Sequence, residues 1–330
     1  MPEDPEDPGL AGAQETVEEL LLGAAPHLTR GQVADRAGVP LEVAEQLWRL
    51  LGFARAADDD VAFTDADVEA LRLTHDLMEL GILSPDSQAA LVRTWGRSYA
   101  RLAEWQTTLL ADVATEGDDP GRRLTELAGS VLPRVESLQS YIWRRHLASA
   151  TGRALAVEST GTATDLAVCF VDIVDYTSQS KLLDEADLVG WLEHFENQAT
   201  GMVVDHGARI IKTIGDEVLF VADEASAAAE VALLMTERRA MDDRFPAVRA
   251  GIAYGAVVSR LGDVFGPTVN IAARLTSVAR PGTVLADRGL HDELAEGSPY
   301  SFRRTRRTSV KGYARLQPWA LRRAPERAGG

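Results

Sequence analysis

The chain has 330 residues, 45% of them hydrophobic, which is enough for one or two ordinary cores, and the length favours two domains. Its net charge of −16 argues against nucleic acid as a partner, because affinity for nucleic acid comes mainly from cations that neutralise phosphates. The sequence contains no apolar run near the ~18 residues that cross a bilayer, no signal-like N-terminus, and a single cysteine, which excludes an internal disulfide framework. These features predict a cytoplasmic protein that does not use a membrane.

The acidic charge is concentrated in the first half of the chain. Residues 1–150 hold 13 Arg, no Lys and 26 acids, a net of −13, whereas residues 151–330 hold 21 Lys and Arg and 24 acids, a net of −3. The residue patterns change at the same place. They predict a disordered acidic tail (1–12), an all-helical domain (13–148), a Gly/Thr-rich linker (149–164), a domain of mixed strands and helices (165–322) and a second tail (323–330).

The first half reads as helices with recognisable starts. Thr64 precedes acidic residues, and Ser84 precedes a proline, so both are predicted N-caps. The stretch "TRGQVADRAGVPLEVAEQLWRLLGF", with Gly38 in its turn, resembles the helix-turn-helix start of winged-helix regulators. The only cations in this stretch and just after it, in strongly acidic surroundings, are Arg30, Arg36, Arg49 and Arg55. A helical regulatory or protein-interaction domain is therefore the preferred interpretation.

The second half begins with a predicted buried strand, "LAVCFVDI", followed by an amphipathic helix. A hairpin comes next, "RIIKTIGDEVLFVAD", in which Gly215 and Asp216 form a tight turn between two apolar runs. Strands mixed with helices, hairpins included, predict an α+β fold rather than a purely doubly wound sheet.

Two carboxylates follow buried strands in this half. Asp172 ends the first strand and Asp216 lies at the tip of the hairpin. Carboxylates at neighbouring strand ends can hold a pair of Mg²⁺ ions together with substrate phosphates. Backbone N–H groups of the turn "IVDYTSQS", which contains Ile173, Tyr176 and Thr177, can receive phosphate oxygens. The alternative for each aspartate alone is a purely structural turn residue.

A third polar feature lies in "LGDVFGPTVNIAARL". Asn270 and Arg274 are four residues apart on a predicted helix, so both project from one face. They are either surface residues, or a pair in which the arginine stabilises charge on a transferring phosphoryl group.

Four segments in this order, "FVDIVDYT", "IKTIGDE", "GDVFGPTVNIAARL" and "SVKGY", resemble the catalytic domain of class III nucleotidyl cyclases over roughly residues 160–320. The resemblance implies a ferredoxin-like βαββαβ core after the all-α domain, and a head-to-tail homodimer with two active sites at its interface. It implies conversion of ATP to 3′,5′-cyclic AMP and pyrophosphate with two Mg²⁺ (or Mn²⁺) ions per site.

The same resemblance assigns roles to individual residues. Asp172 and Asp216 match the metal-binding aspartates, which the backbone of Ile173 would assist, and Lys212 and Asp263 match the pair that reads adenine. The remaining matches are Asn270 and Arg274 for the ribose and the phosphorus, Lys311 for the triphosphate, and Ile173, Tyr176 and Thr177 for substrate binding in the turn. In the dimer, the metal aspartates would come from one chain and Lys212, Asp263, Asn270 and Arg274 from the other.

Asp175 departs from the family pattern, because it stands where the family commonly has glycine. Its carboxylate would either weaken nucleotide binding or point away as a helix N-cap, and the N-cap is the preferred expectation. Glu217, beside Asp216, is expected to be a strand-pairing residue and not a ligand.

The whole layout resembles actinobacterial soluble cyclases, and this resemblance implies that the helical domain restrains the catalytic dimer and responds to a small molecule or a proton. His27, His75 and His146 are the titratable candidates, and His146 lies closest to the linker. Two alternatives to an adenylate cyclase stay open: a guanylate cyclase of the same fold, and a transcription regulator with a degenerate cyclase-like sensor domain.

Overall fold

The chain folds into two compact units, Met1–Glu158 and Ser159–Gly330. The computed structural model describes residues 16–115, 120–156, 163–295, 299–310 and 313–325. Lys311 and the acidic tail at residues 1–12 lie outside these ranges. Among the described helices, none combines the length and the apolar character that a membrane span requires.

The N-terminal unit is helical, as predicted. Its core contains Leu28, Val33, Leu47 and Leu71, all of them buried. One isolated bridge, between Leu28 and Phe63, is its only strand-like pairing within the described residues. The helices are α1 (16–22), α2 (Arg30–Ala37), α3 (Leu41–Leu51), α4 (Asp65–Glu79), α5 (Pro85–Thr115) and α6 (Pro120–Ala156).

The helix starts follow the predicted signals. Thr64 forms a capping box with Asp67, whose carboxylate accepts the Thr64 N–H at 2.7 Å, and α4 begins directly after it. Ser84 accepts the N–H of Ser87 at 3.3 Å, and α5 begins at Pro85. Side-chain caps of this kind supply partners for amide groups that a helix start leaves unsatisfied.

The predicted linker begins too early. Helix α6 continues through Gly152 to Ala156, so residues 149–156 are helical, and the next element is a strand that begins at Ala163. Arg153, Ala154, Leu155 and Ala156 are good helix formers and follow the small polar residues. A glycine inside a helix costs only about 1 kcal/mol relative to alanine, so Gly152 does not end it.

The second unit is a sheet with helices on both faces. Its strands run in the order β2-β3-β1-β4-β6-β10-β7, with β5 paired to β4 outside this path. The first part is the ferredoxin-like βαββαβ arrangement that the family resemblance implies, because β2, β3, β1 and β4 are antiparallel neighbours. The elements are β1 (Ala163–Ile173), α7 (Tyr176–Gln179), α8 (Glu185–Asp205), β2 (Arg209–Ile214), β3 (Glu217–Ala222), α9 (Ala225–Arg238), β4 (Val248–Arg260), β5 (Asp263–Phe265), α10 (Pro267–Val278), β6 (Val284–Ala286), α11 (Arg288–Leu294), β7 (Tyr300–Arg304), β8 (Thr308–Val310), β9 (Tyr313–Leu316) and β10 (Trp319–Arg323).

Alternate residues of β1 pack on opposite faces of this sheet. Cys169 and Val171 pack with α8 and α9 in the larger core cluster. Val168 and Phe170 pack with α10 in a second cluster. This period of two is what a strand buried on both faces requires. Asp172, two residues after Phe170, therefore belongs to the α10 face.

Helix α10 lies unusually close to β4. A Cβ added at Gly251 would lie 2.2 Å from the backbone nitrogen of Thr276, so only glycine fits there. The Thr276 hydroxyl donates to the Phe170 carbonyl oxygen at 3.2 Å and fixes the helix to β1 as well. The polar residues of α10 are thereby carried on the same face of the sheet as the end of β1.

Candidate active site

Asp172 lies near the end of β1, where it faces Arg249 on β4 and Glu217 on β3. Arg249 Nε and Nη2 contact the same carboxylate oxygen of Asp172, at 2.7 and 2.5 Å. The Asp172 side chain is 16% exposed, so this ion pair is largely sheltered from water. Sequence reasoning missed Arg249. The sequence signal that could have indicated Arg249 is its position as a charged residue inside an otherwise apolar strand, "VRAGIAYG".

Asp216 is carried to the same place by the predicted hairpin. Ile214 pairs with Glu217 across the turn, and Gly215 adopts a φ of 63°, which glycine tolerates at the first position of a two-residue turn. The Asp216 carbonyl oxygen accepts the N–H of Ile173 at 3.1 Å, which joins the turn to the end of β1. Asp216 is therefore both a residue of the hairpin turn and a neighbour of Asp172, so its prediction as a turn residue and its prediction as a site residue are compatible.

The three carboxylates influence one another. Burial raises the pKa of Asp216, and the negative charge of Asp172 adds to this, while Arg249 opposes it. Burial, followed by the charges of Asp172 and Asp216, raises the pKa of Glu217 to about 7. Glu217 pairs across the sheet as expected, yet it also contributes charge. The carboxylates at the end of β1 thus carry more negative charge than Arg249 neutralises, and this excess favours a bound cation.

The donor set fits a hard divalent cation. Asp172 and Asp216 supply carboxylate oxygens, which Mg²⁺ prefers, and Mg²⁺ commonly binds through one or two carboxylates plus substrate phosphates. Within the described ranges there is no group of three or more His, Cys, Asp or Glu side chains arranged to hold a metal by itself. An ion at this pair would therefore take its remaining ligands from water or from substrate.

Lys212 and Asp263 form a second polar group. Lys212 Nζ lies 2.5 Å from Asp263 Oδ2, although the residues are 51 positions apart. A register shift between Ile210 and Lys212 places Lys212 opposite Leu219, a residue of the α10-side core cluster. Both side chains of the pair remain partly exposed, at 40% for Lys212 and 30% for Asp263. The structure therefore brings together the two residues that the sequence analysis assigns to the purine.

Asn270 and Arg274 lie on α10, which begins at Pro267 after Gly266, as predicted from the sequence. Asn270 is exposed and Arg274 is half-buried. Across the part of the chain that the structure describes, neither side chain makes a hydrogen bond or an ion pair. Both are therefore available to a ligand, in contrast to Arg249.

The turn after Asp172 is only partly as expected. The Ile173 side chain is buried and its N–H is used by Asp216, so this amide is not free for phosphate. The Tyr176 ring stacks on Trp191, with ring centroids 6.2 Å apart, and packs against the α8-side core. Thr177 is exposed. The structure brings neither the Ile173 side chain nor the Tyr176 ring to the carboxylates' face.

Asp175 is not the side-chain cap that the sequence analysis preferred. It occupies the N-cap position of α7, but its side chain makes no capping hydrogen bond, and only its carbonyl oxygen accepts, from Ser178 and Gln179. Its φ is 57°, in the left-handed region that favours glycine. The residue is exposed. This position thus has glycine-like geometry with a carboxylate added to the turn.

If the turn meets the triphosphate that the family resemblance implies, replacing Asp175 with glycine is expected to lower the KM for the nucleotide about threefold to tenfold, because a carboxylate near a triphosphate repels it. Stability should change little, since relief of about 1 kcal/mol of left-handed strain is offset by the entropy that glycine loses on folding. Steady-state kinetics and thermal unfolding measure the two effects.

Asp175→Asn is the matched control, because asparagine tolerates the same backbone conformation and removes only the charge. It should reproduce most of the KM change. An unchanged KM in both variants would place the carboxylate away from the substrate.

Comparison with known proteins agrees with this geometry. The family described as "Adenylate and Guanylate cyclase catalytic domain" matches residues 159–323. An adenylate cyclase of Streptomyces coelicolor is 41% identical over 297 residues, covering 88% of this chain and 78% of that protein. One from Streptomyces griseus is 42% identical over 284 residues, covering 84% and 71%. A pH-sensitive adenylate cyclase of Mycobacterium tuberculosis is 30% identical over 324 residues, covering 92% and 80%. The chain therefore belongs to the family of adenylate and guanylate cyclase catalytic domains, the class III nucleotidyl cyclases.

Proposed function

We propose that this cyclase converts ATP to 3′,5′-cyclic AMP and pyrophosphate at sites completed by two copies of the chain. The observation that carries the proposal is the Asp172–Asp216 pair at the end of β1, with uncompensated negative charge beside it. Relatives named adenylate cyclases, at 41% and 42% identity, support ATP as the substrate.

The reaction is an in-line displacement at the α-phosphorus. The ribose 3′ oxygen forms a bond to the phosphorus, the bond to the bridging oxygen of the leaving pyrophosphate breaks, and the hydroxyl proton leaves to solvent. Divalent ions bound at Asp172 and Asp216, two per site, would lower the pKa of the 3′-hydroxyl and offset phosphate charge. Catalysis of this kind rests mostly on positioning and charge stabilisation.

Arg274 and Asn270 are suited to the reacting centre. Both project from one face of α10 and have side chains without partners among the described residues. A guanidinium presents several donors in a planar fork, which matches the oxygens around a pentavalent phosphorus. We assign Arg274 to that charge and Asn270 to the orientation of the ribose.

The Lys212–Asp263 pair is suited to adenine. A lysine donor can reach the N1 acceptor of adenine, while an aspartate acceptor can receive the exocyclic amine. Guanine presents the opposite order, a donor at N1 and an acceptor at O6. The fixed positions of the two side chains on β2 and β5 would therefore select ATP over GTP.

Two copies would complete each site. Within one chain, Asp172 pairs with Arg249 and lies beside Asp216, while Lys212 contacts Asp263. Among the described residues, no hydrogen bond or ion pair joins the two groups. We assign the metal aspartates to one copy, and Lys212, Asp263, Asn270 and Arg274 to its partner in a head-to-tail dimer.

The test of the reaction is direct. Purified full-length protein is incubated with ATP or with GTP in the presence of Mn²⁺ or Mg²⁺, and cyclic nucleotide and pyrophosphate are quantified. We expect cyclic AMP and pyrophosphate in equal amounts, with little product from GTP. Absence of any cyclic nucleotide under all four conditions would refute the proposal, and cyclic GMP alone would favour the guanylate cyclase alternative.

We assign a regulatory role to the N-terminal unit, which would restrain the catalytic unit in a pH-dependent way. One relative of the full chain is named a pH-sensitive adenylate cyclase. His27 lies 3.5 Å from Asp65, His75 lies 4.0 Å from Glu79, and His146 is exposed on α6. Comparing the activity of the full chain with that of residues 159–330 measures the restraint itself.

His146→Ala is expected to change the ratio of activities at pH 6 and pH 8 at least about twofold, because His146 is the histidine of the helical unit that is nearest in sequence to the catalytic unit. The measurement is a pH–activity profile of the full-length variant beside the parent. His75→Ala, at a second candidate on α4, is measured in the same way. A profile identical to that of the parent would dismiss His146 from pH sensing.

Transcription regulation is not favoured. Arg30 forms an ion pair with Glu45 at 2.6 Å and another with Asp58, and Arg36 forms one with Asp65 at 3.0 Å. Cations already neutralised by acids offer little to a phosphate backbone.

A further inference from the structure

A cleft of about 710 Å³ lies at the side of the sheet formed by β6, β10 and β7, past the C-terminal end of α10. Leu285 on β6, Ala320 on β10 and Arg303 on β7 stand in one row across these strands. Leu285 and Ala320 pack with the last turns of α10. We call this the arginine cleft, after its lining residues Arg280, Arg303, Arg304, Arg306, Arg322 and Arg323.

The charge of the arginine cleft is opposite to that of the chain. Glu237 is the only acid among its described lining residues, and it already binds Arg323 at 3.1 Å. Residues 299–325 contain seven Arg, one Lys and no Asp or Glu, in a chain with a net charge of −16. The cleft is therefore a local concentration of cations.

Three of these arginines have no counter-charge within the part of the chain that the structure describes. Arg280, Arg303 and Arg322 are exposed, and none of their side chains makes a hydrogen bond or an ion pair with any described residue. Arg303 faces Ala320, and Arg322 faces Ser301, so the two guanidinium groups are diagonal neighbours on one face. Like charges in that arrangement repel each other, and a bound anion would relieve the repulsion.

The arginine cleft is hydrogen-bonded to the strand that carries Arg249. The N–H of Gly282 donates to the Val248 carbonyl oxygen at 2.8 Å, and the N–H of Ala250 donates to the Thr283 carbonyl oxygen at 3.0 Å. Gly282 and Thr283 both line the cleft. A ligand held there would touch the segment that fixes the backbone on either side of Arg249.

We propose that the arginine cleft binds a small polyphosphate anion at a site separate from the one formed by Asp172 and Asp216. Neighbouring guanidinium groups on one face, such as those of Arg303 and Arg322, recognise phosphate oxygens through paired charge-assisted hydrogen bonds. The concave shape and volume suit a short phosphate chain better than a flat membrane surface or a duplex. The site does not depend on the proposed reaction, since it uses none of the residues assigned to it.

The test is calorimetric titration of the full-length protein with sodium tripolyphosphate, in buffer with EDTA and without nucleotide. We expect one binding event per chain, with an affinity that falls at least about tenfold in the Arg303→Ala/Arg322→Ala variant, because both bidentate contacts are removed. Arg303→Lys/Arg322→Lys should fall between the two. The lysine pair keeps both positive charges and loses only the planar guanidinium groups. Its affinity for tripolyphosphate therefore tests the site even if the alanine pair folds poorly.

Two control variants test whether binding belongs to the arginine cleft. Arg288→Ala removes an exposed arginine of the same unit that is paired with Asp292, and should bind as the parent does. Arg274→Ala should also bind normally. Unchanged affinity in both double variants, or loss of binding in Arg274→Ala, would overturn the proposal. So would binding of heparin or anionic vesicles through the same arginines without any binding of tripolyphosphate.

Discussion

Asp216→Ala is expected to lower cyclic AMP formation at least about a hundredfold, because each site loses an oxygen ligand for the ions that activate the attacking hydroxyl. The fold should survive, since the contact of Asp216 with Ile173 is made by its backbone carbonyl oxygen, which alanine retains. The measurement is the initial rate with Mg²⁺ and ATP, beside a thermal unfolding curve.

Asp223→Ala is the matched control on the same hairpin. Asp223 follows β3, is 57% exposed and pairs with Arg209 at 3.2 Å, so its loss should leave the rate unchanged. Asp172→Ala is a less clean test, because it also leaves Arg249 without its partner. If Asp216→Ala kept more than about half of the parent rate, the carboxylate pair would not be the metal site.

Reversing the purine pair should reverse the choice of nucleotide. In the variant Lys212→Glu/Asp263→Lys, the acceptor and the donor exchange places while their ion pair is kept, so stability should change little. We expect ATP turnover to fall about a hundredfold and the preference to move toward GTP, because a site built for one order of donors leaves polar groups unpaired with the other. The measurement is kcat/KM for both nucleotides.

The single variants separate recognition from stability. Lys212→Ala leaves Asp263 without its cation and should raise the KM for ATP without creating activity on GTP. A reversed pair that still preferred ATP by the parent's ratio would remove Lys212 and Asp263 from base recognition.

Local patterns were sufficient for most of the second unit. Short local signals were enough here. The apolar run before Asp172 predicts a strand, Gly215 predicts a chain reversal, and the proline at the start of α10 predicts a helix start. They predict the α+β fold and the place of Asp216 at the hairpin tip, whereas the βαββαβ core is what the resemblance to class III cyclases implies.

Features that depend on pairing between distant strands could not be predicted in this way. Arg249 and Asp172 are 77 positions apart, and only the register of β1 with β4 makes them neighbours. The bulge before Lys212 and the left-handed backbone at Asp175 are set by the tertiary fold rather than by local preference. The predicted linker failed for a simpler reason: small polar residues at 149–152 do not stop a helix that good helix formers continue.

The sharing of each active site between two copies is tested most directly by mixing two inactive full-length variants, Asp216→Ala and Arg274→Ala. Random pairing makes half of the dimers mixed, and each mixed dimer has one intact site of two, so we predict recovery of about a quarter of the parent activity. The double variant Asp216→Ala/Arg274→Ala, mixed with either single variant, should give no recovery. If the two single variants together are no more active than they are apart, the metal aspartates and Arg274 act within one copy, which would contradict the shared site.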